Sequence, residues 1–324
     1  MVKNPVAIAP GSDPFKEEIV LRKLAKWFGI ILLAVVLCAG VFYVYLASRT
    51  GETAVERLVF TNNKSPLLVF AHRGGGGLIP ENTLEAFVYS AKMGVDVLEL
   101  DIRSTADGVL VVMHDGDVAR TTNGSGRVTE LALEALKKLD AGYLFTPDNG
   151  QTYPFRGKGV TIPTLAEIFE TLPEMTFNIE PKQQEPPITA PLCSLIRERN
   201  MAGKVIVGSF NQTNLNNFRS ECPEVATSAG PSEVSEFLAL SKTGIGNTYT
   251  PPMQALQVPE KIGALQIVSK QFVDAAHERN LKVHVWTIND PADMQRLIEL
   301  GVDGIMTDYP DQLLELLGRI AIVR

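Results

Sequence analysis

The sequence predicts an α/β chain: a TIM-type (β/α)₈ barrel with a small inserted subdomain, preceded by a single N-terminal transmembrane helix. Three observations carry this expectation. From Pro66 onward, short apolar runs alternate with longer amphipathic stretches, the pattern of βαβ units on a parallel sheet. About eight such units in about 260 residues fit a closed barrel better than the alternative, an open doubly wound sheet. Ahead of them, Trp27 to Leu46 runs without a charge and would span about 30 Å as a helix, the thickness of a bilayer core.

The elements follow in order. Residues 1–26 form a polar leader, 27–46 the membrane helix, and 47–65 a linker with a short helix around Glu52–Leu58; residues 66–324 form the barrel. Trp27, Tyr43 and Tyr45 stand near the ends of the span, where amphipathic rings favour the interface. A cleaved signal peptide is the alternative, but the apolar run exceeds the usual length of its core and the leader is long. Arg22, Lys23 and Lys26 precede the span and Arg49 follows it closely, which places the barrel outside the cytoplasm.

Expected strands are Leu67–Ala71, Val97–Arg103, Thr176–Glu180, Val205–Ser209, Val225–Thr227, Lys282–Thr287 and Gly304–Thr307, with one more near Gly246–Thr250. Helices are expected at Thr83–Met93, Thr164–Leu172, Ile188–Arg199, Gln212–Glu221, Ser232–Leu240, Ser269–Arg279, Pro291–Leu300 and Pro310–Leu317. The rhythm breaks from about residue 115 to 161, where only a short helix near Leu131–Leu139 is expected. So long an interruption in a compact domain is usually functional, its plainer reading being a surface excursion.

Composition excludes some partners. The chain has 324 residues and a formal net charge of −7, and no Lys/Arg cluster offers a nucleic-acid footprint. Cys38, Cys193 and Cys222 lack metal-ligand spacing. Cys193 and Cys222 could pair, but the expectation is two buried free thiols.

The chemistry concentrates on a few strand ends. In Val97-Leu98-Glu99-Leu100-Asp101-Ile102, strand alternation puts Glu99 and Asp101 on one face and the apolar residues on the other. Two carboxylates turned into a barrel repel each other and lose hydration, which a divalent cation bound by oxygens offsets. The alternative is a solvated edge strand, which the fully apolar opposite face weakens. Asn178, Glu180 and Lys182 share a face in the same way; Glu180 can be a third hard ligand and Lys182 suits a phosphate oxygen.

His72 ends the first strand ahead of Arg73 and the run Gly74 to Gly77, whose amides could approach an anion, while Arg73 can grip a phosphate bidentately. His114 ends a segment that turns at Asp107-Gly108 and folds back toward Glu99 and Asp101. The chain has only four histidines, and two at strand ends beside a metal suit paired acid–base work. His277 reads as a helix residue and His284 as possible barrel lining.

These residues resemble the glycerophosphodiester phosphodiesterases. The likeness runs from about Leu67 to Leu317 and rests on several stretches in order: Ala71-His72-Arg73-Gly74 through Pro80-Glu81-Asn82-Thr83, Glu99-Leu100-Asp101, Asp107-Gly108 to His114-Asp115, Glu180-Pro181-Lys182, Trp286-Thr287-Ile288-Asn289, and Gly301 to Pro310. The resemblance implies a barrel with a subdomain inserted after the second strand. It implies a Ca²⁺ or Mg²⁺ site at Glu99, Asp101 and Glu180, and an acid–base pair at His72 and His114. It further implies phosphate contacts from Arg73 and Lys182, a place for Glu81 near the glycerol or metal shell, and Trp286 in the pocket, unless that ring is simply barrel packing.

The activity so implied is hydrolysis of a glycerophosphodiester to glycerol 3-phosphate and an alcohol, with water or the substrate's own glycerol hydroxyl as first nucleophile. A lysophospholipid substrate at the membrane is a second expectation, and a silent, membrane-tethered phosphodiester-binding module a third of another class.

Overall fold

The computed structural model describes residues 14–62 and 65–320. Residues 1–13 of the expected leader and residues 321–324 of the expected barrel domain lie outside them. The chain divides between Thr50 and Gly51 into two units. The first holds one continuous helix, Pro14–Ala47. Its stretch Leu21–Ala47, whose most apolar 18-residue window has a mean hydropathy of 2.7, is long and apolar enough to cross a membrane, a test that a signal sequence also passes. Phe28, Leu33, Val41 and Phe42 are exposed along it, and a helix apolar all round seeks an apolar environment.

In the second unit, strands β1 (Leu68–Ala71), β2 (Val97–Ser104), β3 (Thr176–Pro181), β4 (Val205–Val207), β5 (Ala226–Thr227), β6 (Ala255–Pro259), β7 (Lys282–Trp286) and β8 (Gly304–Thr307) form one sheet. Helices α1 (Leu84–Met93), α2 (Leu165–Thr171), α3 (Thr189–Glu198), α4 (Gln212–Glu221), α5 (Pro231–Lys242), α6 (Lys270–Glu278), α7 (Pro291–Leu300) and α8 (Pro310–Leu316) follow them in turn. The strands pair in parallel in the order β5-β4-β3-β2-β1-β8-β7-β6. A parallel bridge between Ser228 and Ala255 joins the two outer strands and closes the barrel.

Local chemistry sets the boundaries. Thr83 caps α1 by accepting from the Ala86 amide, and Gly94 ends that helix in the left-handed conformation. Thr164 and Glu167 make a reciprocal capping box on α2. Alternation then sorts the strand side chains: Leu98, Leu100, Ile102, Phe177 and Ile179 face the helix layer with Phe87, Leu192 and Phe218, while Leu68, Phe70, Val97, Ile206, Ala226 and Met306 fill the barrel. Gly304 is required there, since a Cβ would stand 2.6 Å from Phe70 Cε2 and 3.0 Å from His284 Cδ2. His284 does line the interior. It is fully buried against the Phe70 ring, with centroids 4.6 Å apart, and burial lowers its pKa to about 4.

Four expectations change. The residues near Gly246–Thr250 form a 3₁₀ turn at Gly246–Thr248, and the sixth strand is Ala255–Pro259. Its inward Gln257 interrupts the apolar run that would have marked it. The stretch expected as a linker is held to the barrel from Gly51 on: the Gly51 amide donates to Asn247 O at 2.9 Å and Ala54 to Arg279 O at 2.8 Å. The short helix lies at Leu58–Thr61, not around Glu52–Leu58, and its Val59 joins the inner cluster at the barrel floor. Cys193 and Cys222 are not free thiols; they form a disulfide between α3 and the end of α4, with Cα atoms 5.7 Å apart. That distance lies within ordinary disulfide geometry.

The inserted subdomain follows a return strand, Leu110–Val112, antiparallel to β2. It has a small core of its own, in which Met113, Val118, Val128, Leu136, Val160 and Ile162 are buried together. Leu133–Leu136 is the helical part of the stretch expected near Leu131–Leu139.

Candidate active site

Register decides what meets at the carboxyl ends of β2 and β3. Glu99 pairs with Asn178 and Asp101 with Glu180 across the two strands, so these four side chains share the inner face as neighbours. Lys182, just past β3, places Nζ 3.1 Å from Asp101 Oδ1 and 2.9 Å from Glu180 Oε2. Asp101 also accepts from Asn82 Nδ2 at 3.0 Å, and Arg73 Nε lies 3.5 Å away. Burial alone would raise the Asp101 pKa, but the charges of Lys182 and Arg73 hold it below the usual carboxylate range. Glu99 lacks such support. Burial, then the charge of Asp101, pushes it up to about 7, although the Arg73 amide donates to it at 2.7 Å. Burial also raises Glu180 in spite of Lys182.

The two expected histidines both reach this mouth, and each is held at Nδ1 by a carboxylate. Asp308, after β8, accepts from His72 at 2.6 Å and is fixed in turn by Asn289, whose Nδ2 donates to it at 2.7 Å. Burial pulls the His72 pKa down, but the bond to Asp308 and the charge of Glu99 outweigh it and leave it raised. Asp115 accepts from His114 at 2.7 Å. Arg103, on β2, donates from Nε and Nη2 to the His114 carbonyl at 2.9 and 2.8 Å, so the return strand delivers His114 to a fixed place. Here burial prevails and the His114 pKa is lowered. With Nδ1 engaged, Nε2 is the nitrogen each ring offers to a ligand.

One cavity of about 530 Å³ collects these groups. His72, Arg73, Glu99, Asp101, His114, Glu180, Lys182 and Trp286 all line it. Glu81 does not; its carboxylate accepts from Arg73 Nη1 at 2.9 Å and from Arg120 Nη1 and Nη2 at 2.8 and 2.7 Å. Glu81 therefore organises Arg73, and Arg120 also pairs with Asp115, tying the inserted subdomain to the barrel rim. The glycine run differs from expectation as well. The Gly75 and Gly76 amides donate to His72 O and the Gly77 amide to Asp308 O, so the anion that the turn serves is Glu99, through Arg73. Arg73 and Gly74 sit in the left-handed region, at φ 52° and 81°, and a Cβ on Gly74 would meet Ala86 at 2.9 Å. Sequence reasoning missed Asp308, Asn289, Asn82 and Arg120. The first three lie inside the segments that carry the family likeness, which was the signal available.

The oxygens of Glu99, Asp101 and Glu180 are not all within 4.8 Å of one another. Among the described residues the set that meets that spacing is Cys193, Cys222 and Glu224, whose sulfurs are joined in the disulfide and offer no thiolate. The three acids nonetheless suit a hard divalent cation: all donors are oxygens, Glu99 and Asp101 are buried, and two of the three already share one cation, the Lys182 ammonium.

The sequence pattern of the Glycerophosphoryl diester phosphodiesterase family matches residues 72–312, and the chain belongs to that family. It is 35% identical over 257 residues to the glycerophosphodiester phosphodiesterase of Caldanaerobacter subterraneus, covering 78% of this chain and 98% of that protein. To the human protein named lysophospholipase D GDPD1 it is 27% identical over 272 residues, covering 76% of this chain and 85% of that one. Among solved structures, a phosphodiesterase of Oleispira antarctica in complex with the product sn-glycerol-3-phosphate matches with a TM-score of 0.62 and 27% identity, covering 78% of this chain and 96% of that one.

Replacing Asp308 by Asn should keep the fold but loosen the His72 ring, lowering phosphodiesterase kcat by about 10- to 100-fold with KM within about twofold. Steady-state kinetics of the purified variant check this; an unchanged kcat would remove the contact from the mechanism.

Proposed function

We propose that the protein is a divalent-cation-dependent enzyme that hydrolyses glycerophosphodiesters to glycerol 3-phosphate and an alcohol. The observation that carries this reading is the convergence of two carboxylate-held histidines, two cations and three acids on one cavity. Glu99, Asp101 and Glu180 would hold Ca²⁺ or Mg²⁺, which when bound supplies a Lewis acid for a phosphoryl oxygen. Arg73 and Lys182 are placed to bind the non-bridging oxygens and stabilise the charge that grows on them as the nucleophile adds. One imidazole takes the nucleophile's proton at Nε2; the other gives a proton to the oxygen of the departing alcohol as its bond to phosphorus breaks. Asp308 and Asp115 keep both rings in the tautomer this exchange needs. The family relatives named for this activity support the same reading.

Glycerophosphocholine turnover by the full chain should vanish in EDTA and return on adding Ca²⁺ or Mg²⁺, and His114→Ala should lose more than about 100-fold. EDTA-resistant turnover refutes the cation dependence; a His114→Ala enzyme within a few fold of wild type removes that histidine from the reaction.

The same proposal places the barrel outside the cytoplasm, anchored by the N-terminal helix. The basic residues Arg22, Lys23 and Lys26 ahead of the apolar stretch support that orientation, and the Cys193–Cys222 disulfide independently suits an oxidising compartment. A reporter that folds only outside the cytoplasm, fused after Arg324, should be active; activity of only a cytoplasmic reporter in that position would contradict the placement.

A further inference from the structure

Two side chains of the cavity are aimed by acids that stand outside it. His114 is held at Nδ1 by Asp115, and Arg73 at Nη1 by Glu81. Neither acid lines the cavity, and neither does Arg120. Yet Arg120 reaches both acids with one guanidinium. Its Nε donates to Asp115 Oδ2, while Nη1 and Nη2 donate to Glu81 Oε2 and Oε1 at 2.8 and 2.7 Å. Glu81 Oε1 is the same atom that accepts from Arg73. Every nitrogen of the Arg120 head is thereby engaged.

The geometry suits no other side chain. A guanidinium is a planar fork of five N–H donors, so it can grip one carboxylate by two parallel bonds and still turn Nε to a second. A lysine ammonium is a point charge on a flexible stem and fixes the direction of neither. Arg120 also stands on a rigid base. Val118 and Thr122, two residues to either side, are buried. Thr122 donates to Val118 O from its amide at 3.1 Å and from its hydroxyl at 2.8 Å, and Asp117 accepts from the Ala119 amide at 2.8 Å. Val118 belongs to the inserted subdomain's own core. Opposite, the Asn82 amide donates to Arg73 O at 2.9 Å and braces the turn that carries Glu81. The Arg120 side chain is itself 47% exposed, and ion pairs so exposed add little to stability. What these contacts supply is direction.

We infer that Arg120 is a positioning residue that couples the proton-transfer half of the site to its phosphate-binding half, setting the His114 ring through Asp115 and the Arg73 guanidinium through Glu81. This rests on the phosphodiesterase reading above. The inserted subdomain is then a working part of the site, and a disturbance of either clamp passes to the other through one side chain.

The test is steady-state turnover of glycerophosphocholine by the full chain with Ca²⁺ or Mg²⁺ supplied. Asp115→Asn should act on kcat by loosening His114, and Glu81→Gln chiefly on KM by loosening Arg73. Arg120→Gln should move both constants, lowering kcat/KM by about 10- to 100-fold, while thermal unfolding followed by circular dichroism stays near that of the wild type. Arg120→Lys should not rescue it. Combining Asp115→Asn with Glu81→Gln should cost at least about threefold less in kcat/KM than the product of the two single losses. In the Arg120→Gln background the two losses should multiply.

An Arg120→Gln enzyme with wild-type kinetics, or one in which a single constant moves, overturns the coupling. Wild-type kinetics in Arg120→Lys shows that charge alone suffices and overturns the bridge. Losses from Asp115→Asn and Glu81→Gln that multiply with Arg120 in place overturn it whether or not the Arg120 variants fold. In each case the activity stands. No turnover by the wild type overturns the activity itself, and the coupling with it.

Discussion

The molecule turns on one electrostatic constraint: Asp101 and Glu180 lie side by side on adjacent inner strands and share the Lys182 ammonium. A buried carboxylate beside a half-buried one at that spacing demands a cation. The register that makes the fold therefore also makes the site. Slipping either strand by one residue would turn the acids into the helix layer and Leu100 or Ile179 into the cavity.

Around that centre the barrel recruits each group from a different strand end, the usual economy of this architecture. β1 supplies His72 and Arg73, the return strand His114, and the turn after β8 Asp308. The inserted subdomain contributes through Asp115 and Arg120, and its small core gives those residues a rigid base. Charges run in an unbroken line from Asp115 through Arg120, Glu81 and Arg73 to Asp101. A change at the rim is thus felt at the centre even though Glu81 touches no part of the cavity.

Much of this was legible in the sequence, for physical reasons. Period-two alternation in Val97–Ile102 fixed which way Glu99 and Asp101 face, and amphipathic stretches with strong caps, such as Gln212–Glu221 and Pro291–Leu300, gave helices with the observed bounds. What escaped was whatever depends on tertiary partners. Strand β6 hid because its inward Gln257 bonds Asn178 Oδ1 at 2.6 Å inside the barrel, which no local pattern reveals. The disulfide depends on two helices meeting, and the glycine amides turned to His72 and Asp308 instead of a ligand because the turn closes on itself. Asp308 stands in the Gly301 to Pro310 stretch that carries the family likeness, but its bond to His72, distant in sequence, is not written in any local pattern.

The claim that the acids of β2 and β3 form a divalent-cation site is tested most directly by equilibrium Ca²⁺ and Mg²⁺ binding to the full chain, measured by calorimetry on wild type, Asp101→Asn and Glu180→Gln. The account predicts one ion per wild-type chain and a loss of affinity of at least about 10- to 100-fold in each variant, with circular dichroism unchanged. Equal affinity in all three proteins, or no binding to the wild type, would contradict it.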